Sequence, residues 1–219
     1  MRIRYLSGTE EILNASKLLV KEPETMAGRW RSLYQGPEGP SGVELEIGSG
    51  KGRFVKEMAR RHPDRLLLGV EKFSTILART ILNNEKEGEE IPGNLRLIRA
   101  DALDLKGCFQ DGELDRIYLN FSDPWPKDRH AKRRLTSERF LPLYAAWLKK
   151  GGELHFKTDN DALFPWSVET LQQNGWTILF QTDDWHACPA FQEDVMTEYE
   201  IQFSEQGKKI HKLTAVKTD

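Results

Sequence analysis

The stretch VELEIGSGKGRF, residues 43–54, decides how the rest of the chain reads. Its first five residues form a short run of buried-strand type, glycines follow at Gly48, Gly50 and Gly52, and residues 53–61 have the length and composition of a helix. A strand that passes through glycines into a helix is a ligand loop. Glycine lets the backbone approach a bound group closely and take positive φ, and the first turn of a helix offers N–H donors with no partner inside the helix.

Further apolar runs recur at 65–70, 95–100, 116–120, 153–157 and 176–181, with helix-length segments at 53–61, 73–88, 137–150 and 162–174 between most of them. This alternation predicts an α/β fold: a Rossmann-like, doubly wound, mostly parallel sheet with helices on both faces. Lys149-Lys150-Gly151-Gly152 and Asn174-Gly175 read as helix stops. In the tail, residues 196–204 and 209–217 alternate apolar and polar side chains around Glu205-Gln206-Gly207, which predicts a hairpin and an antiparallel C-terminal edge. Residues 1–42, polar and closing in the turn-rich QGPEGPSG, divide off as an N-terminal extension and lead-in loop, leaving 43–219 as the main domain.

Three acids stand at expected strand ends: Glu46 just before the glycines, Glu71 after LLLGV and Asp101 after LRLIRA. Ligands of open α/β sheets sit at such ends, where Glu71 can accept two ribose hydroxyls and Asp101 an adenine amino group. Each acid alone also reads as a helix cap or a solvated strand end. Three ligand classes compete for the loop. A phosphate cradle needs Gly-Lys-Ser/Thr, but Lys51 is followed by Gly52. A dinucleotide loop prefers GxGxxG, and here the spacing is GxGxG. S-adenosylmethionine, whose sulfonium and amino group favour a nearby carboxylate, suits the local chemistry best, and NAD stays open on these features alone.

A second stretch, NFSDPWPKDRHAKRRL at 120–135, leaves a strand, turns, and enters a block of positive charge. Pro124 and Pro126 fix φ and restrict Asp123 and Trp125 before them to extended geometry, which predicts a stiff turn beside the cofactor cleft. Lys127, Arg129, Lys132, Arg133 and Arg134 then follow in a chain whose net charge is only −2. A cationic patch next to a ligand cleft draws a polyanion across it. The plain alternatives are a solvated face and a rigid loop with Trp125 packed beneath the sheet. Arg2, Arg4, Arg29 and Arg31 are candidates to extend the patch.

The remaining composition sets bounds. No apolar run reaches the roughly 20 residues of a membrane span, and the start lacks the apolar core of a secretory signal, so a soluble intracellular protein is expected. Cys108 and Cys188 lack partners at metal or redox spacing, and the five histidines form no HExxH, so no metal site is expected.

The chain resembles the bacterial tRNA (guanine-N7)-methyltransferases, which modify guanosine 46 of the variable loop. The resemblance runs nearly end to end, through MRIR, LEIGSGKG, GVEKF, RADA, the NFSDPWPK and RHxKRR block, HFKTDN at 155–160 and MTEYE at 196–200. It departs at Asp128, where a second basic residue is expected, and over WHACPAFQED at 185–194. The resemblance implies the class I S-adenosylmethionine-dependent methyltransferase fold, S-adenosylmethionine as cofactor and tRNA as partner. It also implies cytoplasmic localisation with no membrane or obligate protein partner, as a monomer or weak homodimer. It places Glu46, Gly48, Gly50, Gly52, Glu71, Asp101, Asn120 and Asp123 at the cofactor, with Asp123 the catalytic residue. Lys127, Asp159, Thr197, Glu198, Tyr199 and Glu200 would meet the guanosine; Arg129, His130, Lys132, Arg133 and Arg134 would meet RNA. Guanine N7 carries an unprotonated in-plane lone pair, so attack needs alignment more than proton removal, and Asp123 reads as an electrostatic and positioning group. Methylation of another RNA or DNA base, and RNA binding without catalysis, are the alternatives.

Overall fold

Strand β2 (Gly42–Ile47) is buried along its whole length, and it stands at one end of the first of two units into which the chain divides after Phe109. The computed structural model describes residues 6–86 and 92–218. In the first unit, α1 (Thr9–Ala15) and β1 (Leu19–Val20) precede β2, and α2 (Arg53–Arg61), β3 (Arg65–Val70), α3 (Ser74–Lys86) and β4 (Leu95–Ile98) follow it. The strands run parallel in the order β1-β4-β3-β2, with Leu45 beside Leu68 and Gly69 beside Leu97. Helix α2 buries Phe54, Val55, Met58 and Ala59 along one face and ends in Arg60 and Arg61, where cations suit the helix dipole. The expected helix over 73–88 appears as α3; its final residues lie outside the described ones, as do Arg2 and Arg4.

The segment before β2 contributes to this core. Leu13 and Trp30 are fully buried; Trp30 donates from Nε1 to the Cys108 carbonyl at 2.7 Å and stacks on Phe109 at 5.2 Å.

The second unit contains β5 (Leu114–Asn120), α4 (Leu141–Trp147), β6 (Leu148–Thr158), α5 (Leu163–Gln173), β7 (Trp176–Thr182), α6 (Glu198–Ser204) and β8 (His211–Lys217). β5 pairs parallel with β6, β6 antiparallel with β8, and β8 antiparallel with β7, so the last strand is inserted between two earlier ones. The antiparallel character expected of the C-terminal region is present, but its partners differ. Residues 198–204 form a helix and not a hairpin arm, because Thr197-Glu198-Tyr199-Glu200 is a capping box: Thr197 Oγ1 accepts from Glu200 N, and the Glu200 side chain accepts from Thr197 N. The helix expected over 137–150 stops at Trp147. Lys149–Gly152 belong instead to a bulged entry into β6, where the register jumps from Leu114–Leu148 to Arg116–Glu153 and Gly151 takes φ 73°.

Trp30→Ala is expected to lower unfolding free energy by about 3–5 kcal/mol, the range for emptying a large aromatic site. A denaturant titration that found the variant within ~1 kcal/mol of wild type would place Trp30 outside the cooperative core.

Candidate active site

The glycine loop follows β2. Gly48, Gly50 and Gly52 all have positive φ, 83°, 55° and 79°, which L side chains rarely adopt. At Gly52 a Cβ would also lie 2.5 Å from Thr80 Cγ2 on α3, whereas at Gly48 and Gly50 it would meet open space. Glycine therefore serves close packing at Gly52 and leaves room at the other two. Glu71, just past β3, ties the loop down: its Oε2 accepts from Gly50 N at 3.1 Å and its Oε1 from Phe73 N at 2.8 Å. Burial pushes the Glu71 carboxyl above its ordinary value, against the pull of the Phe73 and Gly50 N–H groups toward ionisation. Glu46 is buried near the end of β2, and the buried Ser49 hydroxyl has no hydrogen-bond partner among the described residues. Asp101 is exposed and accepts from Leu103 N at 3.2 Å, so it shapes its own turn while facing solvent.

In the second unit, β5 ends at the half-buried turn that carries Asp123. Phe121 N donates to the Lys157 carbonyl at 2.8 Å, after which Phe121 takes φ 51° and Trp125 φ 43°. They are the only non-glycine residues at positive φ among the described ones, and each such position costs roughly 1–3 kcal/mol. Trp125 thus departs from the extended geometry expected before a proline. Asp123 lies between them, exposed, and Asn120 is buried at the strand end.

The basic run forms a short 3-10 helix, Asp128–Arg133. Asp128, the departure from the resemblance, occupies its first turn, where an acid suits the unpaired N–H groups. Lys127, Arg129, Lys132 and Arg133 are exposed; Arg133 lies over the Trp125 ring at 4.8 Å, and His130 meets that ring edge-on at 5.8 Å. Arg134 differs from the RNA-facing role expected of it. It is buried, donates from Nε to the Pro124 carbonyl at 3.0 Å and from Nη2 to the Trp125 carbonyl at 3.1 Å, and lies over Trp166 at 4.3 Å. Arg29 and Arg31 donate to carbonyls of their own segment, at Thr25 and Pro40.

The residues expected at the substrate separate into two groups. Asp159 and Tyr199 meet, with the Tyr199 hydroxyl donating to Asp159 Oδ2 at 3.2 Å, Lys208 Nζ donating to the same oxygen at 2.8 Å, and the Phe121 ring 5.0 Å from Tyr199. Thr197 and Glu200 are instead buried: besides forming the capping box, Glu200 accepts from Lys157 Nζ at 2.7 Å and contacts His186 Nε2 at 3.0 Å. Lys157, from HFKTDN, also donates to Asp194 Oδ2 at 2.9 Å and to the Val195 carbonyl at 3.0 Å. Trp185 Nε1 reaches Asp194 Oδ2 at 2.6 Å, so segment 185–194 is anchored by a buried ionic cluster. Burial raises the Asp194 carboxyl, but Lys157, Lys212 and the Trp185 N–H outweigh it and hold the group below its ordinary value.

A family model described as "Putative methyltransferase" matches residues 41–213. A tRNA (guanine-N(7)-)-methyltransferase of Lachnoclostridium phytofermentans is 43% identical over 98% of this chain and 98% of its own length. The chain belongs to the tRNA (guanine-N7)-methyltransferase family. A relative of the same name from Bacillus cytotoxicus is also 43% identical, over 98% of this chain and 96% of its own length. Among solved structures, one titled as an antibiotic-related methyltransferase superposes with a TM-score of 0.65 at 16% identity, covering 96% of this chain and 99% of that one, which shows the shared α/β methyltransferase fold.

Gly48→Ala is expected to cost about 1 kcal/mol, from the left-handed conformation alone. Gly52→Ala adds a steric clash and is expected to cost more; equal losses on thermal unfolding would remove the packing role of Thr80. Lys157→Met leaves the buried Glu200 carboxylate without its lysine and Asp194 with Lys212 alone, and is expected to cost about 3–5 kcal/mol. Because the folded Asp194 carboxyl lies below its unfolded value near ~4, its contribution is complete above that pH and lost as pH falls through the folded value. Denaturant midpoints from pH 7 to 3 check this, and a wild-type curve parallel to that of Asp194→Asn would contradict it.

Proposed function

We propose that this chain transfers a methyl group from S-adenosylmethionine to N7 of a guanosine in tRNA, at position 46 of the variable loop. The observation that carries this reading is the match at 43% identity, over nearly the full length, to relatives named tRNA (guanine-N(7)-)-methyltransferase. The residues fit the cofactor: two glycines leave open space, a buried serine hydroxyl has bonding capacity to spare, and a partly desolvated carboxylate follows the next strand. S-adenosylmethionine, when bound, supplies a methyl group made electrophilic by its sulfonium. Glu71 would accept the ribose hydroxyls, Asp101 the adenine amino group, and Glu46 would offset the cationic end. Gly48, Gly50, Gly52 and Asn120 would line the cofactor with backbone and amide groups.

The guanine base needs orientation more than activation, since N7 already presents its lone pair. Asp159 is suited to accept from the N1–H and amino group of guanine, with Tyr199 and Phe121 offering aromatic faces beside it. Methylation leaves the ring cationic, and the Asp123 carboxylate stabilises that developing charge and holds the base in line. Lys127, Arg129, Lys132 and Arg133, with His130 beside Trp125, would hold phosphates; Glu198 stands at the start of α6. Thr197 and Glu200 serve the substrate indirectly, by fixing the helix start that presents Tyr199.

Incubation with unmodified tRNA and labelled cofactor, followed by nucleoside analysis, is expected to yield 7-methylguanosine at one position, lost when guanosine 46 is replaced. Any other methylated nucleoside overturns the base assignment, and label at a different guanosine overturns the position. Asp123→Asn is expected to lower kcat on the order of 10²-fold with cofactor binding retained. Wild-type turnover by this variant at saturating substrates would remove Asp123 from the chemistry.

A further inference from the structure

Arg134 closes the run of cations that reads in the sequence as one RNA-binding surface, yet its guanidinium points inward. It is 8% exposed, whereas Lys132 and Arg133 just before it are exposed. Its Nε and Nη2 donate to the consecutive carbonyls of Pro124 and Trp125, at 3.0 and 3.1 Å, and its flat face lies 4.3 Å over Trp166 of α5. The planar fork thus reads two backbone oxygens of the turn that holds Asp123, with two nitrogens held in one fixed plane.

The same turn carries the backbone strain of this unit. With Phe121 at φ 51° and Trp125 at φ 43°, the chain enters the left-handed region on both sides of Asp123 without glycine, and it persists there only if the surroundings over-determine it. One side is held by the ladder, through Phe121 N to the Lys157 carbonyl. The other side is held by Arg134. The Arg134 carbonyl in turn accepts from Ser137 N at 2.9 Å, which fixes the arginine backbone. Through Trp166 the guanidinium also touches α5, at whose entry Ala162 N and Leu163 N donate to Asn160 Oδ1, one residue beyond Asp159.

We infer that Arg134 is a positioning residue for the reaction: it clamps the Pro124 and Trp125 carbonyls so that Asp123 is held in its working orientation, and it contributes no phosphate contact. The inference rests on the proposed methyl transfer for its catalytic readout and on the turn itself for its structural one. Arg134→Ala is expected to lower kcat on the order of 10- to 100-fold while leaving the tRNA salt slope unchanged. Arg134→Lys keeps the charge but replaces two donor nitrogens fixed in one plane by a single flexible ammonium, and its kcat is expected between the two. Arg133→Ala, on the exposed side, is expected to weaken tRNA binding and flatten the salt slope by about one. Hydrogen exchange across residues 121–127 is expected to accelerate at least about tenfold in Arg134→Ala and not in Arg133→Ala, with β5 and β6 unaffected. An Arg134→Ala enzyme with wild-type kcat, or one whose salt slope falls as that of Arg133→Ala does, overturns the clamp. So does unchanged exchange in the turn, an outcome readable in Arg134→Lys should the alanine variant fail to fold. Wild-type protein that yields no 7-methylguanosine instead refutes the proposed activity, and the exchange comparison then decides the clamp alone.

Discussion

A chain that leaves a buried strand and must turn at once has few conformations available, and after β2 and after β5 this protein uses the left-handed region. After β2 the left-handed positions are Gly48, Gly50 and Gly52, where the absent Cβ makes them inexpensive. After β5 they are Phe121 and Trp125, where no such relief exists. The difference follows from what each turn must present. The first presents backbone and, at Gly48 and Gly50, open space that a side chain would fill. The second presents the Phe121 and Trp125 rings and the exposed Asp123 carboxylate, and other residues must hold its backbone in place.

That requirement explains why the second unit contains so many buried charged groups. Lys157, Asp194, Glu200 and Arg134 are each largely withdrawn from water, and each is held by charged or carbonyl partners distant in sequence. Buried ion pairs are a poor source of net stability compared with apolar packing, but they demand one geometry. Lys157 accepts no substitute arrangement that satisfies Asp194, Glu200 and the Val195 carbonyl together. Segment 185–194, where the family resemblance fades, is connected to the rest through this cluster and through Trp185, over which Lys212 lies at 3.6 Å.

Much of this was legible in the residues. The parallel strands, the glycine loop and the acids at or just beyond the ends of β2, β3 and β4 depend on local rules, namely periodicity, glycine punctuation and strand-end placement. Features decided by competition between local signals were not. MTEYE alternates as a strand does, yet its Thr and Glu spacing forms a capping box that satisfies helix donors, and the helix prevailed. The residue preceding a proline is steered toward extended backbone, but that rule cannot foresee Trp125 at φ 43° when its ring is held by Arg133 and His130 and its carbonyl by Arg134. Arg134 itself is indistinguishable from its neighbours as a letter; only burial separates it from them. Glu200 was likewise assigned by motif to the substrate, while its partners Lys157 and His186 lie far off in sequence.

The insertion of β8 between β6 and β7 has a consequence for biosynthesis. As the polypeptide emerges from the ribosome, β5 and β6 can pair as soon as both are outside, but β7 has no neighbour in its own sheet until residues 211–217 arrive. The first unit, whose strands are complete by Ile98, can assemble while the rest is still being made. The nascent chain therefore carries a finished first unit ahead of an unfinished second one, and during that interval the unpaired edge of β7, with Trp176 not yet buried, is open to other chains.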